Sequence, residues 1–292
     1  MKKSYELDMC NGPILGKILV FAIPLMISGI LQLLFNAADI IVVGRFTGSQ
    51  ALAAVGSTSA LINLIINLFI GVSVGANVVV ARNYGAKDYD GIHGAVHTSV
   101  LTAIWGGIIL IFVGILLARP MLEMMGTPED VINLSVLYMR IYFVGMPAFM
   151  MYNFGAAILR AIGDTKRPLY FLTLSGVVNV VLNLFFVIVF HMGVAGVALA
   201  TIISQAISAF LIILCLMKMD GPCHLDFKHL KFHPEQLKSM LRIGLPAGLQ
   251  GAIFSISNVL IQSSVNSFGS QVMAGNTAAG NIEGFVYNSM NA

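Results

Sequence analysis

Seven stretches of this chain are each long and apolar enough to cross a bilayer as one helix, and no other feature limits its fold so strongly. A crossing helix needs about 20 mostly apolar residues. By that measure the crossings fall at roughly 14–38, 52–81, 95–118, 131–159, 169–190, 193–217 and 239–266, and an eighth begins near Val272 and is cut off at Ala292. Composition agrees: 58% of the residues are hydrophobic and 10% are charged, against roughly 25% charged in a soluble domain. The expected fold is all-α. It is a polytopic membrane protein with a six-helix N-terminal bundle over 1–217, a cytoplasmic linker over 218–238, and the start of a second, repeated bundle over 239–292.

Lysine and arginine set the orientation. With the N-terminus inside, thirteen of the sixteen basic residues fall on inside segments, and only Arg45, Arg119 and Arg140 fall outside. This is the positive-inside pattern, and it supports six crossings before the linker. The run after Met1 to Gly12 is too long for a signal-peptide core and lacks a small-residue cleavage site, so it reads as an uncleaved helix. A net charge of +3 is too small to argue for nucleic acid. Cys10, Cys215 and Cys223 have no metal spacing and make no even-numbered disulfide set, so they read as free thiols.

A weak repeat links the two parts. Ile243-Gly244-Leu245-Pro246 echoes Ala22-Ile23-Pro24, and Gly269-Ser270-Gln271-Val272-Met273-Ala274 echoes Gly48-Ser49-Gln50-Ala51-Leu52-Ala53. Two transporter halves related by a parallel repeat leave this signature.

The chemistry concentrates in the first crossing. Gln32, Asn36 and Asp39 stand at i, i+4 and i+7 on one helical face. An acid at bilayer depth costs about 2.5–3.5 kcal/mol on insertion scales, so Asp39 reads as functional. Pro24 removes a helix hydrogen bond one to two turns into the same segment and invites a kink. Asn63 and Asn67, Asn179 and Asn183, and Thr201 and Gln205 are i, i+4 pairs on later crossings. Amide, hydroxyl and carboxylate oxygens suit a small hard cation such as Na+. A carboxylate among amides in a low-dielectric cavity can instead carry a proton. Such residues also tie helices together by hydrogen bonds, the plainer reading for Asn63, Asn67 and Gln205.

Several motifs, in order and on matching loops, resemble the MATE (multidrug and toxic compound extrusion) transporters. They are Ile23-Pro24, Asn36-Ala37-Ala38-Asp39, Val43-Gly44-Arg45, Ala51-Leu52-Ala53-Ala54-Val55-Gly56 and Tyr84-Gly85-Ala86-Lys87-Asp88, then Leu159-Arg160-Ala161-Ile162-Gly163-Asp164-Thr165-Lys166-Arg167-Pro168 and Gly193-Val194-Ala195-Gly196-Val197-Ala198-Leu199-Ala200-Thr201. The resemblance implies twelve helices in two six-helix lobes around a central cavity. It implies export of organic cations and other amphipathic drugs, driven by inward Na+ or H+, with no other cofactor. It also implies an ion or proton carrier at Asp39, surrounded by Asn36, Asn179, Asn183 and Thr201, and a helix bend at Pro24. Some members carry Asp where this chain has Asn183, so a relay between two acids is not expected. Members are about half as long again, and the chain reads as a fragment of such a protein.

Gln32, Asn63, Tyr142, Met146 and Glu283 are further candidates for the substrate cavity. Tyr138, Tyr142, Met146, Met150, Met151 and Tyr152 cluster on the fourth crossing, where packing is the plainer reading. His93 and His97 have ligand spacing but no third ligand, so they read as interfacial. Gly71 and Gly75 form a close-packing motif. No nucleotide-binding loop, nucleophile elbow or zinc-protease motif is present, so neither ATP-driven transport nor an enzyme is expected. The expected protein is a monomeric, multi-pass, ion-coupled drug antiporter of the cell membrane with a cytoplasmic N-terminus. Its partners would be drug-like small molecules and the lipid bilayer. The rival from a related two-lobe architecture is a lipid-linked oligosaccharide flippase. Its anionic cargo would call for several cavity arginines, whereas Arg45, Arg119 and Arg140 lie at outer ends.

Overall fold

The computed structural model describes residues 14–291. The candidate thiol at Cys10 and the basic residues Lys2 and Lys3 lie outside them. Nine α-helices follow one another among the described residues: α1 (Ile14–Phe46), α2 (Ser49–Gly85), α3 (Tyr89–Met124), α4 (Glu129–Val144), α5 (Met146–Ala161), α6 (Lys166–Leu184), α7 (Gly193–Lys218), α8 (Pro234–Asn266) and α9 (Ser270–Asn291). Six are long and apolar enough to cross a membrane, and α4 with α5 makes a seventh crossing, bent by 50°.

That bend divides the single crossing expected over 131–159. Its cause is Pro147, which lacks an N–H and restricts the residue before it. The chain therefore ends α4 at Val144, turns through Gly145 and restarts with proline in the first turn of α5. Pro24 has the opposite outcome. The expected weak point lies inside α1, which runs unbroken from Ile14 to Phe46, and the Ser28 hydroxyl donates to the Pro24 carbonyl at 2.8 Å. After Leu184, α6 widens into a π-helical turn over Phe185–Val189.

α9 also departs from expectation. It forms as a helix but is not among those apolar enough to cross by composition. Its polar residues include Asn276, Thr277 and Glu283. The repeat, in contrast, has a structural counterpart. Gly48 and Gly269 both adopt positive φ, 99° and 88°, and each accepts a backbone hydrogen bond from the residue four positions on, opening α2 and α9 respectively. Pro24 and Pro246 both sit inside the preceding helices.

The linker after α7 folds back on the bundle. His97 is fully buried, not interfacial as its sequence position suggested. One ring nitrogen lies 2.8 Å from the His93 carbonyl and the other 3.2 Å from the Asp226 carbonyl. Thr98 accepts from the His233 amide at 3.1 Å, and Cys223 and Leu225 are buried. Cys215 and Cys223 form no disulfide.

α2 and α8 make the most extensive helix pair among the described residues. Glycines on both faces permit it. A Cβ on Gly71 would overlap the Gly248 backbone, one on Gly75 the Met240 carbonyl, and one on Gly244 the backbone of Val72. Asn67 ties the same pair by donating to Ser255 at 2.7 Å, which is the helix-tying role expected of it.

Candidate functional site

Six helices, α1, α2 and α4 to α7, converge on one polar cavity of ≈ 560 Å³. α1 contributes Gln32, Phe35, Asn36 and Asp39, and α2 contributes Ser59, Asn63 and Ser73. Tyr138 and Tyr142 come from α4, and Phe149, Tyr152, Asn153 and Arg160 from α5. α6 supplies Leu172, Ser175, Gly176 and Asn179, and α7 supplies Thr201, Ser204 and Gln205. The i, i+4, i+7 spacing of Gln32, Asn36 and Asp39 accounts for three of these side chains reaching one wall.

Asp39 is the acid of this wall, and its setting is specific. The Asn183 amide donates to the Asp39 carboxylate. Asn183 also donates to the Asn179 carbonyl oxygen at 3.4 Å, and Asn179 donates to the Thr201 hydroxyl at 3.5 Å. Thr201 in turn donates to the Val197 carbonyl at 3.0 Å. Asn183 is fully buried, and its own side-chain oxygen accepts no hydrogen bond among the described residues. Buried acceptors are rarely left unpaired. Amide and carboxylate oxygens are the ligand types that a small hard cation takes. Asn36 lies one turn before Asp39 on the cavity wall.

α1 is held to this site by few contacts, because much of its surface is exposed: Leu15, Ile18, Leu19, Ile23 and Ile27 all are. Its main neighbour is α6. The Phe35 ring seats over Gly176, where any Cβ would overlap it. Gly176→Leu should therefore push α1 away from Asn183 and separate Asp39 from its amide. A displacement near 1 Å can cost about a hundredfold in a positioned site. We expect any function that depends on the Asp39–Asn183 contact to fall on that scale in protein that still elutes as a folded species. Gly29→Leu is the control, since nothing lies within 4 Å of a Cβ there.

Other candidate residues are placed differently. Gln32, Asn63 and Tyr142 line the cavity. Met146 does not: it is fully buried and reaches only a small crevice beside Tyr142, Thr201 and Gln205. Proline at 147 turns the start of α5 into the core, which sequence periodicity across a single crossing cannot show. Glu283 is exposed on α9 and is not among the residues that line this cavity. The aromatic and methionine cluster divides. Tyr138, Tyr142 and Tyr152 line the cavity, while Met150 and Met151 are core. Arg160, one of the thirteen basic residues counted as inside, lines the cavity.

A polytopic helical bundle around a polar, acid-bearing cavity is the architecture of an integral membrane protein. The chain belongs to the MatE family, whose model matches residues 24–185. It is 33% identical to the probable multidrug resistance protein YoeA of Bacillus subtilis, over 87% of this chain and 57% of that protein. It is 30% identical to the probable multidrug resistance protein YpnP of the same organism, over 92% of this chain and 60% of that one. Among solved structures, the inward-facing conformation of a multidrug resistance MATE family transporter of the MOP superfamily superposes with a TM-score of 0.79 at 28% identity, covering 89% of this chain and 61% of that chain. The chain thus spans 57–60% of the length of these two relatives.

Proposed function

We propose that the protein acts as an ion-coupled antiporter that exports organic cations and other amphipathic drugs by alternating access. The observation that carries this reading is the Asp39 carboxylate on the cavity wall, held by Asn183 and backed by Asn179 and Thr201. The unpaired oxygen of Asn183 adds a ligand for Na+, while protonation of Asp39 is the other way to neutralise the site. Both ions are cargo of the exchange. The aromatic wall of Tyr138, Tyr142, Phe149 and Tyr152 suits flat apolar cations, which a carboxylate and ring faces both attract. Ion and drug then favour different conformers, each by its difference in affinity for the two. The similarity to proteins described as multidrug resistance proteins supports the drug class.

The same reading places the protein in the cell membrane as a monomer, with the rim of basic turns and the N-terminus in the cytoplasm. The inner rim holds Lys87, Lys166, Arg167, Lys218 and Lys228, which supports that orientation. A lipid-linked sugar diphosphate would ask for several cavity arginines, and among the described residues Arg160 is the arginine lining the cavity.

The test is efflux of a fluorescent organic cation from vesicles carrying the intact protein, with a Na+ gradient and a pH gradient imposed separately. Export driven by one of them is expected and names the ion. Export unaffected by either gradient would remove ion coupling from the account.

A further inference from the structure

The cavity holds two charges, and the drug reading uses only one of them. Arg160 occupies the last turn of α5 and lines the same cavity as Asp39. Among the described residues it makes no hydrogen bond or ion pair; the buried Tyr152 is the group that influences it electrostatically. The acid four residues on, Asp164, is fully buried and already engaged by Arg167. It accepts from the Arg167 amide at 3.1 Å and pairs with the guanidinium at 3.2 Å. Asp39 is out of reach. It meets Asn183 near the far end of α6, whereas Arg160 precedes the turn that opens α6. At about 1.5 Å of rise per residue, the two charges stand on the order of 20 Å apart along the bundle. Arg160 thus presents a guanidinium with no protein anion beside it, among the described residues, to an open, partly apolar cavity.

The free donors and charge of Arg160 are best met by an oxyanion entering the cavity. The planar fork of arginine matches carboxylate and phosphate oxygens in pairs. The rings of Tyr152 and Phe149 line the same cavity and can cover an aromatic or acyl body attached to that oxyanion. We infer that Arg160 is the recognition point for the oxyanion of an amphipathic ligand, at the end of the cavity remote from Asp39. This rests on the transport reading above and extends its cargo from simple cations to amphipaths that carry a carboxylate or phosphate. In the proposed orientation, Arg160 stands at the cytoplasmic mouth, where cargo for export enters. The oxyanion could belong to the cargo or to a phospholipid headgroup.

Rhodamine B and its ethyl ester separate the possibilities, because they share one aromatic cation and differ by a free carboxylate. Binding of each to the intact purified protein is followed by fluorescence polarisation in wild type, Arg160→Gln and Arg160→Lys. A charge-assisted contact predicts that Arg160→Gln weakens rhodamine B about tenfold, leaves the ester within about twofold, and that Arg160→Lys recovers part of the loss. Unchanged ester binding also shows that the variant is folded. Titration with phosphatidylglycerol identifies the source. Competition with rhodamine B in wild type but not in Arg160→Gln assigns the oxyanion to lipid phosphate as well. Its absence leaves the cargo carboxylate. Equal loss of both dyes, or no loss of either, overturns the assignment of Arg160 while leaving the transport reading standing. Wild type that binds neither dye overturns both.

Discussion

Asp39→Asn should leave a folded protein that still binds apolar cations but no longer exchanges them against an ion gradient. Asparagine keeps the shape of the side chain and can still meet the Asn183 amide, so packing of α1 on α6 survives. What disappears is the charge. The substituted amide offers a cation one neutral oxygen in place of a carboxylate, and it cannot take up a proton at all. Ion and drug then lose their opposed preference for the two conformers. Coupling between two sites is commonly about 1–3 kcal/mol, or roughly 5–150-fold in affinity, and the variant should lose all of it. Gradient-driven efflux from vesicles should fall to the rate of passive leak, while downhill equilibration of dye continues. Asn183→Leu should fall between the two. It removes the donor to Asp39 and the unpaired oxygen together, yet retains the carboxylate.

Gly244→Leu should have the largest effect on stability. The α2–α8 crossing brings backbone against backbone: Gly244 faces Val72 and the Gly71 carbonyl, and Gly248 faces Leu68. Overpacking in a core costs typically 1–3 kcal/mol where neighbouring side chains can yield. Here the obstructing atoms are main chain on both helices, which cannot yield without separating the pair. The expected cost is therefore about 3 kcal/mol or more, read as a large drop in melting temperature in detergent. Gly275→Leu, with nothing within 4 Å of its Cβ, should melt close to wild type. If the two variants melted alike, tight backbone contact would not be what holds α8 to α2.

The sequence and the structure agree most closely where hydrophobic run length decides the outcome. The helices from α1 to α8 stand where apolar stretches long enough to cross a bilayer predict them, because lipid leaves the backbone no alternative partner. The spacing of Gln32, Asn36 and Asp39 correctly anticipates one shared wall, since periodicity fixes which residues share a face. Periodicity does not tell which way a helix is turned against its neighbours. That is why spacing alone does not show that Met146 is buried or that Glu283 is exposed. It is also why Arg160 counts simply as an inside charge in the sequence, yet lines the cavity. The positive-inside rule counts charges near a membrane face and says nothing about whether a side chain points to water, lipid or an internal cavity. The bend at Pro147 was written in the residue itself, but proline's effect depends on what surrounds it. The same residue type at position 24 leaves α1 unbroken.

Ion and drug oppose each other through the charge of Asp39. Equilibrium binding of a fluorescent organic cation to the purified intact protein tests it most directly. Affinity is measured at rising Na+ at fixed pH, then at falling pH without Na+, in wild type and in Asp39→Asn. The account predicts that one of the two ions weakens dye binding in wild type and that Asp39→Asn binds dye independently of both. Because such linkage is reciprocal, the dye must weaken ion binding by the same factor. An ion dependence of equal size in wild type and Asp39→Asn would contradict the account, because the coupling would then lie elsewhere than at Asp39.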